Sequence, residues 1–182
     1  MISPLIRSTL LSLAVVLFTL PAAHAASKVE INANVKVALA AFYKEVKTGK
    51  ELAAKASGML VFPEVYKAGF GVGGEYGEGA LLVRGKTVAY YSTAAASIGL
   101  QFGAQVKSQV ILFMTSKSLK QFRNSDGWEA GVDGSVAVAT VGVGGEIDTK
   151  TAKQPVIGFI FSNKGLMYNL TFEGGKMSKI DR

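Results

Sequence analysis

The chain has 182 residues, a formal net charge of +7, no cysteine and one histidine. Without cysteine it has no disulfide framework, no thiol nucleophile and no cysteine to carry a lipid anchor. The one histidine, His24, falls in an N-terminal leader, so the rest of the chain can build neither a Ser-His-Asp triad nor the usual His or Cys zinc sites.

The leader has the form of a secretory signal peptide over residues 1–25. Arg7 supplies its positive region, Leu10 to Leu20 its apolar run, and Ala23-His24-Ala25 its small-x-small cleavage site after Pro21. The apolar run of eleven residues falls short of the roughly 20 needed to span a bilayer. Cleavage before Ala26 leaves 157 residues, a single domain over 26–182. The expected location is the periplasm or the exterior, or a peripheral position on the outer membrane. The mature residues carry 19 Lys and Arg against 13 Asp and Glu, a net charge of +6. Such a charge favours anionic partners, the plain alternative being a solubility charge.

Asn34 to Val46 reads as an amphipathic helix. Val35, Leu39, Phe42 and Val46 fall within a stripe about 60° wide at helical spacing. Lys36 and Lys47 flank that stripe and Lys44 lies opposite it. Thr48-Gly49-Lys50-Glu51 matches a capping box for a second helix from Gly49 to Ser57, with Gly58 as its stop. Met59 to Phe62 reads as a short strand ended by Pro63.

Gly69-Phe70-Gly71-Val72-Gly73 alternates with a strand period, and glycine on one strand face leaves room for another backbone or a ligand. Gly71-Val72-Gly73-Gly74-Glu75 recurs as Gly142-Val143-Gly144-Gly145-Glu146, which predicts two similar glycine-lined strands. The literal GxGxxG at Gly69–Gly74 is not a dinucleotide site, because Glu75-Tyr76-Gly77-Glu78-Gly79 cannot open the helix that holds a pyrophosphate.

Gly79 to Arg84 continues as a strand, Arg84-Gly85-Lys86 turns, and Thr87 to Tyr91 returns. A helix is expected from a Ser92 cap through Gln105, and a buried strand over Gln109 to Met114. Ser116 caps a short helix through Phe122, and Trp128 begins further strand. Val132 to Gly145 alternates small residues with valine. Val156 to Phe161 and Leu166 to Phe172 form a hairpin around Asn163-Lys164-Gly165, before a last edge segment after Lys176. The expected architecture is α+β: a curved or barrel-like, mainly antiparallel sheet of about eight strands with two or three packed helices.

Ordered motifs then become recognisable. They are Lys67-Ala68-Gly69-Phe70-Gly71-Val72-Gly73-Gly74, Ser97-Ile98-Gly99-Leu100-Gln101-Phe102-Gly103-Ala104-Gln105 and Gly131-Val132-Asp133-Gly134-Ser135-Val136-Ala137, with Asn163-Lys164-Gly165-Leu166 and Glu173-Gly174 near the end. From about residue 30 onward the chain resembles the SYLF domain family, which occurs in exported bacterial proteins and in yeast and animal proteins of membrane and actin traffic. The resemblance implies a lipid-binding module, with phosphoinositides bound by eukaryotic members through a basic, amphipathic N-terminal helix. The matching positions are Lys36, Phe42, Tyr43, Lys44 and Lys47. Actin binding, tied to extensions of the domain, is not carried over.

Three functions follow for comparison. The first is a non-enzymatic protein of the bacterial cell envelope that binds lipid or a membrane surface, with anionic phospholipid as partner and neither cofactor nor metal. The second is a structural or interaction module with an envelope protein as partner. The third is a hydrolase using Glu75 and Glu146 as paired carboxylates. Nucleic acid is not an expected partner, because the lysines are dispersed and not interleaved with aromatics.

Overall fold

The computed structural model describes residues 25–140, 150–165 and 175–182. The first helix, α1, spans Lys28–Glu45. It begins earlier than Asn34 because Ser27 caps it, the hydroxyl accepting the Glu30 N–H at 3.2 Å. Ile31 then adds a turn to the apolar stripe, which runs Ile31, Val35, Ala38, Phe42. Leu39 lies at the edge of that stripe and is only partly buried. The second helix, α2, spans Gly49–Lys55, without the expected capping box. Thr48 has helical dihedrals (φ −86°, ψ −3°), which turn its hydroxyl away from the free amides, and that hydroxyl is buried without a partner. Glu51 pairs instead with Lys55 at 2.6 Å.

Two strands dominate the sheet: β1, Gly58–Val83, and β2, Lys86–Phe113. They form one antiparallel hairpin closed by Arg84 (φ 51°) and Gly85 (φ 74°), the positive-φ pair a two-residue primed turn requires. This corrects two expectations. Pro63 does not end a strand, because it sits at a register shift between Phe62 and Val65 where no ladder N–H is needed. The Ser108 hydroxyl donates to its carbonyl at 2.7 Å. Residues 92–105 are strand, not helix. The glycine-rich segment of β1 offers them a continuous antiparallel partner, from Glu78↔Ser92 to Lys67↔Gln105. Gly99 and Gly103 already weaken a helix there.

The hairpin does not run straight. Near its middle the register shifts between Phe70 and Val72, around Gly71 at φ 70°. The distal half of β1 folds back across its own proximal half. A Cβ on Gly79 would lie 2.1 Å from the Val61 carbonyl oxygen, and one on Gly77 2.7 Å from that of Glu64. This close approach falls at Gly77 and Gly79, beyond the alternating run Gly69-Phe70-Gly71-Val72-Gly73 where room was expected; within that run a Cβ on Gly71 would meet nothing within 4 Å.

The helix α3 spans Ser116–Asn124, with Thr115 and not Ser116 as its cap. Strand β3 is Trp128–Glu129, β4 Ala137–Thr140, β5 Val156–Gly165 and β6 Lys176–Ile180, with a single 3₁₀ turn at Thr151–Lys153. The sheet order is β3-β6-β2-β5-β4, with β1 also paired to β2. The expected α+β class and curled sheet are found, but the sheet is mixed, because β4 runs parallel to β5. Among the described residues the strands are fewer than the expected eight, since β1 and β2 each absorb segments expected as separate strands. β6 is not an edge, for it lies between β2 and β3. The second glycine pentapeptide, Glu146 and the strand expected over 166–172 lie outside the described residues.

The curled sheet divides the core in two. Outside the curl, α1 covers Val61, Ala80, Leu82, Val110, Leu112, Phe159 and Phe161. Inside it, Leu60, Phe62, Leu81, Ile111, Phe113, Phe122 and Trp128 form a second cluster.

Candidate functional site

Helix α1 has two contrasting faces, and its 100° step decides which residue lies on which. Ile31, Val35, Ala38 and Phe42 face the sheet and are buried. Phe42 is fully buried, with ring centroids 5.0 Å from Phe159 and 5.5 Å from Phe161. The opposite face carries Lys36 and Lys44, both exposed, among Val29 (79 % exposed), Val37 (70 %) and Tyr43 (37 %). Lys47, exposed just beyond the helix end, continues this face. The structure therefore brings Lys36, Tyr43, Lys44 and Lys47 to one surface and sets Phe42 apart from them in the core. Partial burial raises the Tyr43 phenol above its ordinary value.

The helix is held in place at both ends. At its C-terminal end Glu45 accepts from the Ser162 N–H at 3.1 Å and from the Ser162 hydroxyl at 2.5 Å. Near its N-terminal end Asn32 donates to the Tyr90 hydroxyl at 2.8 Å and accepts from the Thr87 hydroxyl at 2.8 Å. Beside it, a groove of about 390 Å³ runs between Val37, Ala38 and Ala41 of α1 and Pro63, Tyr66 and Lys164 of the sheet. A second cleft, about 460 Å³, lies at the start of α1 and is lined by Glu30, Glu64, Tyr66, Tyr76, Glu78 and Arg182. Each tyrosine there donates to a carboxylate two residues away, Tyr66 to Glu64 at 2.8 Å and Tyr76 to Glu78 at 2.7 Å.

Inside the curl the sheet carries charge. Lys107, whose side chain is fully buried, reaches Glu75 at 2.8 Å, and Gln109 Nε2 donates to the same carboxylate at 3.3 Å. Glu75 comes from the folded-back half of β1 and Lys107 from β2, so the pair fastens the bend. Burial lowers the Lys107 pKa, against the pull of Glu75, and the nearby Lys67 lowers it further. Lys67 and Gln105 are also buried, and the side-chain oxygens of Gln105 and Gln109 have no partner. Sequence reading missed this cluster, although a signal was present. With period two, Gln105, Lys107 and Gln109 share the face of the buried Ile111 and Phe113.

Glu75 is thus engaged in an ion pair with Lys107, and its expected carboxylate partner, Glu146, lies outside the described residues. Among the described residues no group of three or more His, Cys, Asp or Glu could hold a metal ion. Among them no helix is long and apolar enough to cross a membrane.

Residues 94–181 match the family model described as Ysc84, Las17-binding protein actin regulator. No curated protein matches the chain. The match takes in β2 from Ala94 onward, which includes most of the segment 92–105 expected as a helix, and ends one residue past β6.

Proposed function

Residues 94–181 match the Ysc84 family, the SYLF domain, and on that premise we propose that this chain is a non-enzymatic protein of the bacterial cell envelope that binds anionic membrane surfaces through α1. The observation that carries the reading is the outward face of α1. It combines Lys36, Lys44 and Lys47 with exposed Val29, Val37 and Tyr43. Lysine stems and apolar residues on one face suit a helix lying in the headgroup layer of a bilayer. The groove beside Val37 and Ala41, bordered by Lys164, extends this surface. Phe42 has a different part: it anchors the helix to the sheet, so that the lysines are presented on a rigid element.

Flotation with vesicles containing phosphatidylglycerol tests the proposal. Each lysine near an anionic surface contributes about 1 kcal/mol, screened by salt. Reversing Lys36, Lys44 and Lys47 to Glu together should abolish flotation at low salt while leaving the melting temperature within a degree or two of the parent. Undiminished flotation of that variant would remove α1 as the binding surface and direct attention to Arg84 and Lys86, or to Lys176 and Lys179, which are also exposed. A stoichiometric envelope protein recovered without lipid would favour the interaction-module reading.

A further inference from the structure

We infer that Glu78 is the receptor for the α-ammonium that leader cleavage creates on Ala26, an inference that rests on the export reading above. Two independent observations meet at one residue. The small-x-small motif Ala23-His24-Ala25 places the cut before Ala26. In the folded chain the Ala26 nitrogen donates to Glu78 Oε2 at 3.3 Å.

The surroundings are built for a cation. Glu78 lies on the distal half of β1 with its side chain only 12 % exposed. Its carboxylate also accepts from Tyr76 at 2.7 Å, from Arg182 Nε at 3.3 Å and from the terminal guanidinium nitrogen of Arg182. Among the described residues the cleft around it is lined by the carboxylates of Glu30, Glu64 and Glu78 and by the guanidinium of Arg182. Burial opposes the charge on Glu78, but the hydrogen bonds from Tyr76 and Arg182, with the Ala26 N–H, outweigh it and hold its pKa below the usual carboxylate range.

Cleavage by a leader peptidase consumes one water: the Ala25–Ala26 amide breaks, Ala25 takes the carboxylate, and Ala26 takes an amine that protonates at neutral pH. In the uncut chain Ala26 offers Glu78 a single neutral N–H; in the cut chain it offers an ammonium with three donors. The new charge sits one residue before the Ser27 cap of α1, where the helix dipole disfavours a cation. Glu78 and Glu30 offset that repulsion. Processing thus changes an ordinary hydrogen bond into an ion pair that pins the start of α1.

The chain beginning at Ala26 is compared with the same chain acetylated on its α-amino group, in the parent and in Glu78→Gln. Acetylation should lower the parent's melting temperature by about 2–4 °C, the shift that a modest ion pair gives in a domain of this size. It should leave Glu78→Gln unmoved. In the parent, an NMR titration should place the Ala26 amine above its ordinary range of about 7.7–8.0. An equal acetylation effect in both backgrounds, or an amine titrating in the ordinary range, overturns the docking. The export reading is judged separately by mass spectrometry of the chain recovered from the periplasm, where a first residue other than Ala26 would overturn the cleavage site.

Discussion

The two faces of the sheet solve the same packing problem with different chemistry. Outside the curl, beneath α1, the core is apolar, with Phe42 wedged against Phe159 and Phe161. Inside, an apolar end around Phe113, Phe122 and Trp128 gives way to a charged one around Lys67, Glu75 and Lys107. The outer face needs no specificity beyond shape, because one helix lies on it and is fastened at both ends. The inner face must hold a strand folded over itself, and a directional ion pair between the two halves selects that bend over others. The contrast predicts that the outer face responds to lost volume and the inner one to an unbalanced charge.

The largest effect should come from Phe42→Ala. Truncating a fully buried phenylalanine costs about 3–5 kcal/mol, read as a fall in the denaturant midpoint at unchanged slope. On the inner face, Lys107→Met strands Glu75, and breaking a buried pair from one side costs about 3–5 kcal/mol. Glu75 keeps some contact with water and with Gln109, so the lower end is expected. The double variant Lys107→Met, Glu75→Leu should recover most of that loss, since it removes both members of the pair together. No such compensation exists for Phe42→Ala. A double variant as unstable as Lys107→Met alone would show that the pair's shape, and not its charge balance, holds the bend.

These two regions also differ in how far the amino-acid sequence discloses them. The outer face was open to reading, because α1 repeats its apolar residues with one clean period and each lysine falls outside the stripe. Its start was misjudged, since Ser27 and Glu30 fall before the first residue of the stripe used, and Leu39, expected in the stripe, lies at its edge. The inner face was obscured for a physical reason. Residues 92–105 combine alanine with polar residues and glycine, a composition that local propensity leaves undecided, and their strand state comes from a partner in β1. The bend is a long-range fact as well: nothing local says that Gly79 must pass Val61. The lysines Lys36, Lys44 and Lys47 were readable from helical spacing as lying outside the stripe, whereas Tyr43 and Phe42 entered the site through the family resemblance, and of these two Phe42 belongs to the core. Glu78 was invisible as a site, because its partners Ala26 and Arg182 stand 52 and 104 residues away from it in sequence.

That bend gives the next, smaller effect. A Cβ at residue 79 would sit 2.1 Å from backbone, which no side-chain rotation can relieve. Gly79→Ala should therefore cost about 1–3 kcal/mol as an overpacking change. Gly74→Ala, with nothing within 4 Å of its Cβ, should be nearly silent. Equal melting temperatures for the two variants would mean that the distal half of β1 can lift away from the proximal half without loss, and that the fold-back contributes little to stability.

The smallest expected effect is a slope in pH, and it belongs to the inner face alone. Burial holds the Lys107 pKa below its ordinary value, more than Glu75 can restore. In the window between the folded value and the unfolded one, about 10.4, the unfolded chain binds more proton than the folded chain. Stability then rises with pH through that window. Below it both states hold the proton, and the full cost of burying the charge is present; above it both have lost it, and the cost is gone. Four tyrosines act in the opposite sense at the alkaline end. Tyr43, Tyr66, Tyr76 and Tyr91 are all raised, Tyr66 chiefly by its bond to Glu64 and the others chiefly by burial. Their unfolded forms ionise first and pull stability down as pH rises. The test is accordingly a difference: unfolding free energy against pH for the parent and for the double variant Lys107→Met, Glu75→Leu, which share those tyrosines. The parent should gain on the double variant as pH climbs toward the ordinary lysine value. A parent that instead loses ground over that range would mean that Glu75 holds the ammonium more strongly than burial repels it, and the inner ion pair would then stabilise the bend through its charge.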